Sequence, residues 1–95
     1  MVIGICKVVL SIGDAFSLKE KRSVVKSLIN RVKSKYNASI AEVDSNDAWK
    51  SAVLGIACVT NEAAHADSMM SDIVNFIDRD GRAVLVDYST EIINA

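Results

Sequence analysis

The chain contains no proline, so no stiff proline-rich linker divides its 95 residues. A usual domain of about 100 to 150 residues leaves room for one compact unit spanning 1–95 and no second one. Glycine is scarce too: Gly4, Gly13, Gly55 and Gly81 form neither a P-loop nor a dinucleotide fingerprint, so no backbone cradle for phosphates is visible. Two cysteines, Cys6 and Cys58, and the single His65 lack any zinc-site spacing. The cysteines read as reduced and buried, and no cofactor or metal is expected.

Aromatic residues are 5% of the chain, and neither Val2 to Ile12 nor Ser51 to Thr60 contains one. That excludes an RRM-type mode, in which bases stack on aromatics of the central strands. No uncharged apolar run reaches the roughly 18 residues of a membrane helix. The hydrophobic start carries Lys7 in its middle, against the charge order of a signal peptide. A cytoplasmic protein without a membrane partner is expected. Net charge is also absent as a signal, at −1.

What is present is apolar content of 51% against 24% charged residues, the balance of a chain that folds. Val2 to Ile12 reads as a strand, with Val2, Gly4, Cys6, Val8 and Leu10 on one face and Ile3, Ile5, Lys7 and Val9 on the more open one. Ser17 and Glu20 form a capping box for a helix whose stripe is Leu18, Val25, Leu28, Ile29, Val32 and Tyr36. Ala38 to Asp44 reads as a second strand, with Ile40, Glu42 and Asp44 on one side. Ser45, Asn46 and Asp47 supply turn chemistry. Ser51 to Thr60, apolar on both faces, suits a central strand. Thr60 or Asn61 caps a second helix carrying Ala66, Met69, Met70, Ile73, Phe76 and Ile77, and Gly81 stops it. Ala83 to Ile93 is a fourth strand with Val84, Val86, Tyr88 and Ile92 on its dry side.

The order β-α-β-β-α-β is that of the ferredoxin-like α+β fold, an antiparallel four-stranded sheet with two helices on one face. Right-handed crossovers put both helices on that face and leave the other bare. Ile3, Ile5, Val9 and Leu85 are expected there beside Lys7 and Asp87. Such a patch marks a protein interface, so a homodimer is expected through Ile3, Ile5 and Val9.

Charge is segregated along the chain. Residues 1–36 carry eight Lys or Arg and two acids, a net of +6, whereas residues 37–95 carry three and ten, a net of −7. Seven bases fall on the first helix. Lys19, Arg22, Lys26 and Lys33 occupy an arc of about 60° beside its apolar stripe, and Lys21, Arg31 and Lys35 lie on the other flank. A strip of this kind suits a phosphate backbone, and it suits equally a solvated helix whose charges meet the acidic half of the fold. Glu42, Asp44 and Asp47 offer oxygen ligands for a hard cation in principle, but Asp44 and Asp47 read first as turn formers and Glu42 as a residue solvated on an open sheet face. His65 reads as an edge histidine, and Trp49 as a cap on the end of the core.

Three stretches resemble the YlxP-like family of small bacterial proteins: Ser-Leu-Lys-Glu-Lys-Arg-Ser-Val-Val-Lys-Ser-Leu at 17–28, Ala-Glu-Val-Asp at 41–44 with Asp47, Trp49 and Leu54-Gly55, and Thr60-Asn61 followed by His65. The resemblance implies a ferredoxin-like fold in a bacterial cytoplasmic protein. It also implies a ribosomal or RNA partner, because such proteins are often encoded near translation and ribosome-maturation factors. It carries over no catalytic residue. The expected function is non-enzymatic binding of structured or ribosomal RNA through Lys19, Arg22, Lys26 and Lys33. The alternative is a homodimeric interaction module acting through the open sheet.

Overall fold

The computed structural model describes residues 1–13, 15–44 and 48–95. Its elements are β1 (Val2–Ser11), α1 (Leu18–Lys35), β2 (Ser39–Asp44), β3 (Ser51–Thr60), α2 (Ala63–Asp80) and β4 (Val84–Asn94). The turn expected at Ser45, Asn46 and Asp47 lies outside the described residues. The strands form one sheet in the order β2-β3-β1-β4, every neighbouring pair antiparallel. This is the ferredoxin-like arrangement expected from the element order.

Period-two alternation decides which side of each strand is dry. In β1 Val2, Cys6, Val8 and Leu10 are buried. They meet Leu54, Ile56 and Cys58 of β3 and Val25, Leu28 and Val32 of α1, together with Ala66, Met70, Ile73 and Ile77 of α2. Gly4 lets α2 approach the sheet closely. A methyl group there would come within 3.0 Å of the Cys58 sulfur and 3.3 Å of Ala66 Cβ.

The helix ends follow local chemistry in part. Ser17 Oγ accepts the Glu20 N–H at 3.1 Å, the capping bond the sequence announces. Its reciprocal bond is displaced by one residue, because the Glu20 carboxylate accepts from the Phe16 N–H. Gly81 ends α2 in the left-handed conformation at φ 80°. The start of α2 departs from expectation. Glu62 is the cap residue and makes no side-chain capping bond, and Thr60 Oγ1 merely accepts from the Glu62 N–H at 3.4 Å.

Two irregularities reset the faces of the edge strands. Between β1 and β4 the register passes from Val9↔Asp87 to Leu10↔Leu85, so Val86 is an extra residue. The alternation inverts there. Leu85 turns in against the core and not to the bare side, while Val84, Val86 and Tyr88 are exposed and form no dry face. Between β2 and β3 the register passes from Glu42↔Leu54 to Asp44↔Val53, with Val43 as the extra residue. Glu42 stays on the helix side with Ile40, and Asp44 takes the register of Val53 on the opposite one. Ile3, Ile5, Lys7 and Val9 lie on the face that no helix covers.

Candidate functional site

Helix α1 is laid on the sheet by Val25, Leu28 and Val32, and its seven basic residues meet different fates. Lys21 projects from the sheet-facing side of the helix and is completely buried, at 0% exposure. Its ammonium pairs with the Glu42 carboxylate, the second inward position of β2, whose side chain is 16% exposed. Glu42 is therefore not the solvated residue of an open sheet face. A lysine is tolerated there because an ammonium without a carboxylate would cost several kcal/mol on losing its hydration, by the usual scale of such transfers.

A second group of bases holds α1 against α2. Arg31 pairs with Asp80, and its Nε donates to the Ser27 carbonyl oxygen at 3.4 Å. The Lys35 ammonium lies 5.0 Å from the centre of the Phe76 ring, which meets Tyr36 edge-on at 5.8 Å. Arg82 donates to Ser27 Oγ at 3.0 Å. Lys21 and Arg31 are thus committed to carboxylates, and Lys35 to a ring contact at the surface.

Lys19, Arg22, Lys26 and Lys33 remain. All four are exposed, and among the described residues none has a carboxylate within 4.0 Å. At 100° per residue they cover about 60° of helix surface, on the flank turned away from α2. Helix electrostatics accounts for only part of this strip. Lys33 sits in the last turn, where a cation complements the dipole, whereas Lys19 lies in the first turn, where a cation opposes it. Apart from Glu20, whose carboxylate accepts from the Phe16 N–H, the exposed acids lie off α1: Asp67, Asp72 and Asp78 on α2, and Asp87 and Glu91 on β4 among them.

The other residues singled out by the sequence do not converge. His65 is exposed near the start of α2. Among the described residues no three His, Cys, Asp or Glu side chains are grouped to hold a metal ion, and Asp47 lies outside those residues. Trp49 does not close the core: it is 42% exposed, with the Lys50 ammonium 5.2 Å from its ring centre. Cys6 and Cys58 are free and buried. Burial pushes the Cys6 thiol up, and a hydrogen bond from Thr90 opposes that in part.

Phe16 is a surface feature that the sequence pattern did not single out. It is 83% exposed, and its backbone N–H is anchored on Glu20. The signal lay in the capping motif. A hydrophobic staple needs an apolar residue at the fifth position after Phe16, and that position is Lys21, committed to Glu42. Phe16 is left in solvent, two residues before the start of α1 and three before Lys19.

The sheet order, crossovers and helix placement make this a ferredoxin-like α+β protein with one basic helix flank and one uncovered sheet face. The chain belongs to the family described as Protein of unknown function (DUF503), whose model matches residues 3–90. Over 77 residues it is 38% identical to Uncharacterized protein YlxP of Bacillus subtilis (strain 168), covering 81% of this chain and 84% of that protein. This agrees with the resemblance in the 17–28 and 41–55 motifs. A de novo designed protein with a ferredoxin fold, solved by solution NMR, superposes with a TM-score of 0.55 at 17% identity. That match covers 100% of this chain and 87% of the design, and it bears on the fold alone. No described helix is long and apolar enough to cross a membrane.

Proposed function

We propose that the protein is a non-enzymatic binding module that engages structured RNA, ribosomal RNA being the class we favour, through the outer flank of α1. The observation that carries this reading is the sorting of the helix bases. Lys21 and Arg31 pair with carboxylates and the exposed Lys35 lies over the Phe76 ring, while the other four lie together on one flank without carboxylate partners among the described residues. Four cations in about 60° of arc over Lys19 to Lys33, some 21 Å of helix at 1.5 Å per residue, match the dimension of a few consecutive phosphates. The acids of α2 and β4 oppose approach of a polyanion from other directions, so the molecule's own field orients it.

The partner is recognised by backbone charge and shape, because the two central strands offer no aromatic platform. The test is fluorescence anisotropy with a labelled RNA hairpin. Replacing Lys19, Arg22, Lys26 and Lys33 together by alanine lowers affinity by at least about tenfold, since each lost phosphate contact removes released counterions. Replacing the three lysines by arginine retains binding. Equal affinity of the wild type and the fourfold alanine variant overturns the reading.

A further inference from the structure

We propose that the uncovered face of the sheet is a two-fold interface between copies of this chain, with Ile5 as its central knob and Lys7 of each subunit meeting Glu91 or Asp87 of the other. The proposal stands independently of RNA binding, which uses the opposite side of the sheet.

The face is apolar at both ends and uneven in the middle. Val59 is 67% exposed, and Val43, Val84 and Val86 are exposed with it. At the centre Ile5 rises between two depressions. One is floored by the small residues Ala41, Gly55 and Ala57, and the other is edged by Lys7, Ser89 and Glu91. Gly55 keeps the first hollow shallow and open, because Val43 leans so close that a methyl group at 55 would lie 2.8 Å from its Cγ1.

Among the described residues Lys7, Asp87 and Glu91 of this face form no ion pair, and the Asp87 carboxylate accepts only from the Tyr88 N–H at 2.9 Å. Lys7 stands opposite Ser89, with Glu91 opposite Ile5 and Asp87 opposite Val9. The two acids therefore lie on the diagonals from Lys7, about 7 to 8 Å away by strand geometry. Neither forms an ion pair with it. A second sheet laid over this one brings an acid above each lysine.

These features favour a second copy over a different protein. A surface that carries both a knob and a hollow that can receive it, and both a cation and its counter-charges, is complementary to itself, which an isologous two-fold contact requires. The available area agrees. Four strands about 4.8 Å apart and up to ten residues of about 3.3 Å long give a footprint of about 500 to 600 Å² per subunit. The total of about 1,000 to 1,200 Å² reaches the range of specific interfaces.

Sedimentation equilibrium of the full chain tests this. The wild type is a dimer at micromolar concentration, and Ile5→Asp sediments as a monomer. Should Ile5→Asp fail to fold, the exposed-charge variants decide: Lys7→Glu alone, or Asp87→Lys with Glu91→Lys, raises the dimer dissociation constant by about tenfold or more. An equimolar mixture of those two variants recovers a heterodimer within a few-fold of wild-type affinity. A wild type that stays monomeric up to about 100 μM overturns the proposal and leaves the face to another protein. A dimer that no variant weakens, or a variant mixture that fails to associate, overturns it as well.

Discussion

Lys21 and Glu42 lie 21 positions apart, and each alone looks like an ordinary surface residue. The helical wheel places Lys21 between Leu28 and Val32, within the apolar stripe, but its tolerance there depends on β2 arriving beneath it with a carboxylate, a tertiary fact. The same contact removes Glu42 from any cation site and leaves Phe16 without a staple. Replacing Lys21 by Met alone strands a mostly buried carboxylate and is expected to cost about 2 to 4 kcal/mol, at the lower end for a broken buried pair because Glu42 keeps some exposure. Adding Glu42→Leu recovers most of that loss, and urea unfolding of the two single variants and the double variant reads the coupling directly. Cys6 offers a second residue-level check. Burial holds its proton to higher pH than in the unfolded chain. Below the ordinary thiol range of about 8.5 it leaves stability unchanged, and above it the unfolded chain releases a proton that the folded chain keeps, so stability falls as pH rises. The urea midpoint therefore drops between pH 7.5 and pH 9.5, and Cys6→Ala reduces the drop.

The elements themselves were legible because their signals are local. Ser17 with Glu20, the three- and four-residue spacing of Val25, Leu28 and Val32, and Gly81 each act within a turn or two of chain. Ser17→Ala is expected to cost about 1 kcal/mol by removing a bond to the Glu20 N–H, and Gly81→Ala about 1 kcal/mol by forcing a Cβ into a left-handed position. Thermal unfolding followed by circular dichroism detects both. The edge strands were less legible. Val43 and Val86 look like ordinary members of alternating runs, and only pairing with β3 and β1 reveals them as extra residues that invert the faces of their strands. That is why Leu85 turns inward and Asp44 takes the side opposite Glu42, while Val84 and Val86 meet solvent. A bulge is set by the partner strand's register, which a single strand's sequence does not contain. The absence of a side-chain cap on α2 has a similar origin: Thr60 is held as the last residue of β3 and paired with Val2.

For the whole molecule, the segregation of charge along the chain becomes segregation in space, since α1 carries seven of the eleven Lys and Arg residues and α2 with β4 six of the twelve acids. The sequence located the basic helix but overstated its free charge, because Lys21 and Arg31 are committed to carboxylates and Lys35 lies over the Phe76 ring, leaving Lys19, Arg22, Lys26 and Lys33 exposed on one flank without carboxylate partners among the described residues. Function on this account follows from a surface field and not from a pocket, and a surface field is measured by its response to salt. The most direct measurement is the affinity of the wild-type chain for a structured ribosomal RNA fragment from about 50 to 200 mM salt, beside the fourfold alanine variant. Four phosphate contacts predict that log affinity falls with log salt at a slope of about −3 to −4, and that the variant loses most of this slope. A wild-type slope near zero, or the same slope in both proteins, would contradict the assignment of the α1 flank as the RNA-binding surface.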